Sequence, residues 1–250
     1  MDAAVPVMPL DCSFAESDWH RLAQAWHAVA LSAEVGQEPF KATLLDEPLV
    51  LYRLGGELVA ARDVCPHRGV PLTLGWADGQ GVVCPYHGLR FGEGGRCNRI
   101  PASPGQAIPA KMRLRTYAVA ERYGLVWVCL ARAPLEAGEQ PDIPPMPHWD
   151  DAGFQRINCP AFDIAGSAAR QMEGFLDVAH FAWVHTETFA SADMTEVPPY
   201  VTTPTPTGFI ADYLSDIPNY PKGFVPDAPP PPGFQWLRHF EMHLPFTATL

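Results

Sequence analysis

Two Cys-His pairs constrain this 250-residue chain more than any other feature. Cys65-Pro66-His67 is followed, after sixteen residues, by Cys84-Pro85-Tyr86-His87. Each group comes after a strand-like segment and runs into a glycine, Gly69 or Gly88, so each reads as a tight loop between strands. Two such loops can pinch one cofactor. Thiolate sulfur favours zinc or iron–sulfur and imidazole suits either, so ligand type alone leaves both open. Spacing separates them: zinc sites of the Cys2His2 kind group their cysteines together and their histidines together. Here each cysteine stands with a histidine instead, which speaks against that kind of zinc site.

Six cysteines are too few for a disulfide framework in a chain of this length. Cys12, Cys97, Cys129 and Cys159 have no Cys or His at ligand spacing and read as buried or loop thiols, with Cys129 in GLVWVCL the clearest core position. A formal net charge of -11 argues against nucleic acid or an anionic membrane as partner, both of which require clustered Lys and Arg. The opening MDAAVPVMPLDC carries no basic n-region and no apolar h-region, and no window reaches the length of a membrane span, so the expected location is the cytoplasm.

The pattern predicts an N-terminal segment over 1–24, helical or irregular, and then a domain of short antiparallel strands over 25–140. Its candidate strands are AWHAVAL, PLVLYRL, ELVAARDV, GVVCPY, LRTYAVAE and GLVWVCL, divided by Gly and Pro turns. PDIPPMPHW, at 141–149, has four prolines in nine residues and marks the boundary to a second unit over 141–250. There, residues 166–185 lack proline and place Met172, Phe175, Leu176 and Ala179 at helical spacing, which predicts one helix with one buried face. Pro-rich loops (EVPPYVTTPTPTG, VPDAPPPPG) then alternate with strand-like FIADYLSDI and FQWLRHFEMHLPFTATL. The fold class expected is α+β.

Within the helix, Asp177 and His180 are three apart, about 60° around the axis, and are neighbours. His185 lies about 140° beyond His180, so both can bind one metal only if the helix bends, bulges or ends near His185. Two such histidines on their own are more often a polar face or satisfied core groups. In the last strand-like piece His239, Glu241 and His243 alternate onto one face, which reads as a solvent face or pocket wall. Glu173, one turn before Asp177, reads as a supporting or surface group.

The stretch CPHRGVPL…CPYHGLRF resembles the Rieske non-haem iron oxygenases, terminal oxygenase component. Val70 and Tyr86 stand where respiratory Rieske proteins have a further disulfide-bonded Cys. Asp177, His180 and His185 fit the DxxHxxxxH motif of the same family. The resemblance implies a [2Fe-2S] cluster on Cys65, His67, Cys84 and His87, a mononuclear Fe(II) on His180 and His185, and dioxygen as co-substrate. Asp177 would be the electron-transfer bridge between the two centres, in a head-to-tail homotrimer fed by a reductase or ferredoxin. Around CNRIPASPGQAIPAKMRLRTYAVAERYGLVWV and FLDVAHFAWVHTETF the chain is most similar to the vanillate, dicamba and methylxanthine demethylase branch. That implies a helix-grip catalytic domain and hydroxylation or O-/N-demethylation of an aromatic or heteroaromatic compound. Ring cis-dihydroxylation is the alternative, and a Rieske electron-transfer protein the rival of another class. The family's third iron ligand is a carboxylate far beyond the second His. The chain ends 65 residues after His185, so the resemblance implies an incomplete C-terminal part and a third ligand beyond Leu250, with Glu241 as the internal substitute.

Overall fold

The computed structural model describes residues 6–136, 138–215 and 227–250. The chain forms two compact units, Met1–Phe162 and Asp163–Leu250. The proline run at 141–149, where the sequence places the boundary, belongs with the first: Ile143 is buried among Trp26, Ala118, Tyr123 and Trp127, with Trp149 packed beside them. Proline ends regular structure there, but the ring surfaces of that segment still have core to cover.

In the first unit a short helix α1 (Glu16–Leu22) precedes β1 (His27–Leu31), β2 (Phe40–Leu44), β3 (Glu47–Leu54) and β4 (Glu57–Arg62). A second, smaller group follows, β5 (Trp76–Ala77), β6 (Val82–Val83), β7 (Arg90–Phe91) and β8 (Cys97–Arg99), and the chain then returns through β9 (Thr116–Arg122) and β10 (Leu125–Cys129). These make a six-stranded sheet, β1-β10-β9-β4-β3-β2, and a four-stranded one, β5-β6-β7-β8, with every pairing antiparallel. FKATL, β2, is a strand that the sequence reading passed over: its alternation is short and carries Lys41 outward.

β3 explains how the two sheets stack. Leu49 and Leu51 point into a core with Trp19, Ala60, Val126 and Val128. Val50 and Tyr52 point the other way, into a second core with Ala61, Leu72, Val82 and Phe91. Burial on both faces is why PLVLYRL reads as a continuous apolar run, and each such side chain contributes about 1.5–3 kcal/mol. One buried charge is built in beneath this layer. Glu47 is 1% exposed, accepts a hydrogen bond from the Tyr117 hydroxyl at 2.7 Å, and lies 3.3 Å from Arg62 Nε.

The second unit contains α2 (Ala168–Leu176), α3 (Phe181–Val184) and an antiparallel sheet in sequence order, β11 (Thr202–Thr205), β12 (Gly208–Ser215), β13 (Trp236–His243), β14 (Thr247–Thr249). The α+β class therefore holds, with antiparallel sheets and few helices. Three sequence expectations differ. EVPPYVTTPTPTG contains a strand, β11, which tolerates Pro204 because it is an edge strand. The 234–250 stretch is two strands folded on each other, with Met242 opposite Ala248. The helix expected over 166–185 is broken: Asp177 is extended (φ -76°, ψ 137°) and closes α2, and a separate turn, α3, begins after His180. No residue of α2 is fully buried, and Phe175 is 39% exposed. Among the described residues no helix is long and apolar enough to cross a membrane.

Candidate metal centres

The two Cys loops are built alike. The Cys65 amide donates to the Val70 carbonyl and the Gly69 amide to Cys65, both at 2.9 Å; the Cys84 amide donates to Leu89 at 2.9 Å and the Gly88 amide to Cys84 at 3.0 Å. Each loop closes on a glycine in the left-handed region, Gly69 at φ 75° and Gly88 at φ 68°, where a side chain would strain the backbone. β4 leads directly to the first loop and β6 to the second, so the packing of the two sheets brings the loops face to face.

Their side chains sort by softness. Cys65 and Cys84 are 2% and 1% exposed and lie against each other, whereas His67 and His87 are at the surface with ring centroids 4.8 Å apart. Burial pushes the Cys65 thiol up, and Cys84 adds to this, while the backbone N–H groups of His67 and Arg68 pull it back. A buried pair of thiols bearing backbone N–H donors is suited to holding thiolate once a metal displaces the protons. Two thiols inside and two imidazoles outside is the donor set that a [2Fe-2S] group with unlike irons requires, and the residues fit it.

In the second unit the helix break solves the spacing problem. With α2 ended at Asp177, the chain re-enters helix at His180, and His180 Nε2 comes to 3.2 Å from His185 Nε2. Two metal bonds of about 2.1 Å at a right angle would set the nitrogens roughly 3.0 Å apart, so the pair fits one cation. Asp177 is not a third ligand here. Its Oδ2 accepts from His180 Nδ1 at 2.7 Å and from the His180 amide at 2.9 Å, and its Oδ1 accepts from the Ala179 amide at 3.2 Å. Burial works against the carboxylate, but these bonds outweigh it and hold its pKa below the usual range. The bond from Nδ1 also fixes the His180 tautomer that leaves Nε2 free to bind a metal. Among the described residues no set of three His, Cys, Asp or Glu side chains converges as a metal cage.

Asp177 also borders an open cavity of about 680 Å3 between α2 and the inner face of the sheet. Met172 and Leu176 from α2, Phe209, Phe240 and Met242 from the sheet, and Phe246 make its walls mostly apolar, with Tyr200 and Thr202 as polar edges. Met172 and Leu176 are only half-buried because they form cavity wall, and Leu176 also packs against the core of Val178, Ala211, Tyr213 and Phe240. Glu173 lines the cavity as well. Glu173 is ion-paired with Arg170, one turn along α2.

Strand alternation places His239, Glu241 and His243 on the opposite face from Phe240 and Met242. They form a chain there: Asp212 Oδ1 to His239 Nδ1 at 2.7 Å, His239 Nε2 to Glu241 Oε1 at 3.0 Å, Glu241 Oε2 to His243 Nε2 at 3.2 Å. The sheet thus separates Glu241 from the cavity face, and the structure does not bring it to His180 and His185. Arg238, which the sequence reading did not single out, lies on the inner face with Phe240 and Met242. It is 7% exposed, its Cζ lies 5.5 Å from the Phe181 ring and 5.6 Å from the Tyr213 ring, and its enclosed Nη1 has no hydrogen-bond partner among the described residues. Burial pulls its pKa down while Tyr213 raises it. The signal was available: in WLRHFEMH, Arg238 shares the period-two parity of the two apolar inward residues.

Comparison with known proteins agrees with this geometry. Residues 25–118 match the Rieske [2Fe-2S] domain. The chain is 33% identical over 179 residues to methylxanthine N1-demethylase NdmA of Pseudomonas putida, covering 69% of this chain and 50% of that protein. It is 34% identical over 167 residues to the oxygenase component of dicamba O-demethylase of Stenotrophomonas maltophilia, covering 64% and 47%. The solved structure of Pseudomonas putida NdmA with caffeine superposes with a TM-score of 0.77 at 29% identity, over 93% of this chain and 65% of that one. The chain thus spans about half the length of the curated relatives it matches.

Proposed function

The chain belongs to the Rieske oxygenases, in the branch of the methylxanthine and dicamba demethylase components, and from that premise we propose that the protein of which it forms part is a terminal oxygenase. It hydroxylates, or removes an O- or N-methyl group from, an aromatic or heteroaromatic compound. The observation that carries the reading is the pairing of His180 Nε2 and His185 Nε2 at 3.2 Å, with Asp177 on the far nitrogen of His180 and itself lining a mostly apolar cavity.

Cys65, His67, Cys84 and His87 would hold the [2Fe-2S] cluster, and His180 and His185 a mononuclear Fe(II) whose carboxylate ligand lies outside the described residues. When bound, the cluster supplies single electrons and the iron activates dioxygen for insertion into the substrate. The protein's own part is positional. Asp177 keeps His180 in one tautomer and, as an acceptor with capacity left, would link it to the partner subunit's His87 in a homotrimer. Phe209, Phe240 and Met172 offer faces against which a planar ring can stack, and exclude water from it. A reductase or ferredoxin in the cytoplasm would supply the electrons from NAD(P)H.

The test is the anaerobically purified product of the full reading frame, assayed for iron, sulfide, zinc and colour. A red-brown protein with about three irons and two sulfides per chain is expected. Two irons would leave only an electron carrier, and colourless zinc protein would overturn the reading.

A further inference from the structure

Among the described residues of the first unit two carboxylates are buried, Glu47 and Asp63, and they are held differently. Glu47 has the Arg62 guanidinium 3.3 Å away. Asp63 is 3% exposed and forms no ion pair among the described residues. Its partners are neutral: Oδ1 accepts from the Thr73 amide at 2.8 Å and Oδ2 from the Thr73 hydroxyl at 2.5 Å. A carboxylate buried on neutral donors alone leaves a negative charge unbalanced in a low dielectric. Folds tolerate such a cost mainly at functional sites.

Its location puts that charge at the first cluster loop. Asp63 lies two residues before Cys65, and Thr73 lies six residues after His67. Leu72, next to Thr73, packs in the same core as Cys65 and Cys84. The neck of the second loop is closed by strand pairing, with Val83 opposite Arg90. No strand pairing joins the two ends of the first, since β4 pairs with β3 and β9 and β5 pairs with β6. The Asp63–Thr73 contact closes that neck instead. One side chain thus ties the loop ends and sets a buried negative charge beside a thiolate ligand.

We propose that Asp63 is a positioning residue of the cluster whose fixed charge lowers the cluster's reduction potential. When the reductase or ferredoxin gives up one electron, the cluster gains one negative charge. A like charge held nearby opposes that gain, and burial leaves the opposition little screened by salt. The inference rests on the cluster assignment above and adds the control of its potential.

The experiment titrates the anaerobic full-length holoenzyme with dithionite and redox mediators, following the visible and EPR spectra of the cluster. Asn can keep both contacts, its oxygen accepting from the Thr73 amide and its Nδ2 donating to the Thr73 hydroxyl. Asp63→Asn therefore removes the charge and leaves the neck closed. Cluster content should be unchanged, and the reduced form should be favoured about tenfold, a rise of about 59 mV for one electron. Asp63→Glu keeps the charge and Thr73→Val loses only the hydroxyl bond, so both should stay within about threefold of wild type. The double variant Asp63→Asn/Thr73→Asp moves the charge across the neck and should return the potential towards that of wild type. If Asp63→Asn loads no cluster, the double variant decides alone: a wild-type potential supports the proposal and a raised one overturns it. A potential unmoved in Asp63→Asn, or moved equally in Asp63→Asn and Thr73→Val, would overturn it too and leave Asp63 as a tie between loop ends. A wild type that binds no cluster would instead sink the cluster assignment itself.

Discussion

The two candidate centres are positioned by opposite means. Around Cys65 and Cys84, backbone hydrogen bonds at 2.9–3.0 Å close each loop within five residues, and the side chains follow from the turn. Around His180 and His185, position comes from a place where regular structure stops, at Asp177, and from one carboxylate that bridges the break. A site made by a turn tolerates little change of its own residues; a site made by a break depends on the group that holds the broken ends.

The comparison is broken most completely at a cysteine. Cys84→Ala should abolish the visible absorbance of the cluster altogether, because no other thiol among the described residues stands beside Cys65. Retention of a full Rieske spectrum by that variant would refute the ligand set. Asp177→Asn comes next. The amide keeps the size of the carboxylate but loses its charge and one acceptor oxygen, so iron and sulfide content should be unchanged while coupled turnover falls by about 100-fold. Normal turnover would show that the break needs no charge to hold it.

Glycine substitutions sharpen the first half of the comparison. At Gly69 an added Cβ meets nothing within 4 Å, so Gly69→Ala pays for the positive φ alone, about 1 kcal/mol. At Gly88 the same atom would lie 3.0 Å from Pro101 Cγ, and the cost should rise to roughly 2 kcal/mol. Chemical denaturation of the two variants reads this order directly; equal costs would mean that Pro101 yields freely.

Legibility in the sequence divides along the same line. The cluster loops could be read because their information is local: two ligands, one proline and one glycine in each of the five-residue stretches 65–69 and 84–88. The antiparallel class was readable from PLVLYRL and ELVAARDV, two short strand-like runs divided only by the Gly55-Gly56 turn, which become β3 and β4. The break at Asp177 was not, since Ala, Met, Glu and Leu before it favour helix and no Pro follows it before His185, whereas the bonds that Asp177 makes to His180 exist only in the folded chain. β11 was hidden by Pro204, which an edge strand accepts and a central one would not. The attachment of 141–149 to the first unit was invisible for another reason: prolines announce an end of regular structure and say nothing about which core Ile143 will enter.

Two arginines restate the contrast at the smallest scale. Arg53 Nη2 and Nη1 donate to the two oxygens of Glu121 at 2.8 and 3.1 Å on the surface of the first unit, a fully paired fork. Arg238 in the second unit is buried, and its Nη1 has no hydrogen-bond partner among the described residues. The hydrogen bonds from Arg53 outweigh burial and depress the Glu121 pKa. A carboxylate whose folded pKa lies below its unfolded one contributes stability that is fully present above the unfolded value and is lost as pH falls through the folded value. The effect should therefore be complete at neutral pH and vanish in acid. Because both partners are partly exposed, solvent screens the pair, and Glu121→Gln should cost only about 0.5 kcal/mol, less still at high salt. Denaturation of wild type and variant at pH 7 and pH 3, with and without salt, should show the gap closing under acid and under salt alike. A gap that persisted in acid would locate the contribution of Glu121 in packing rather than in charge.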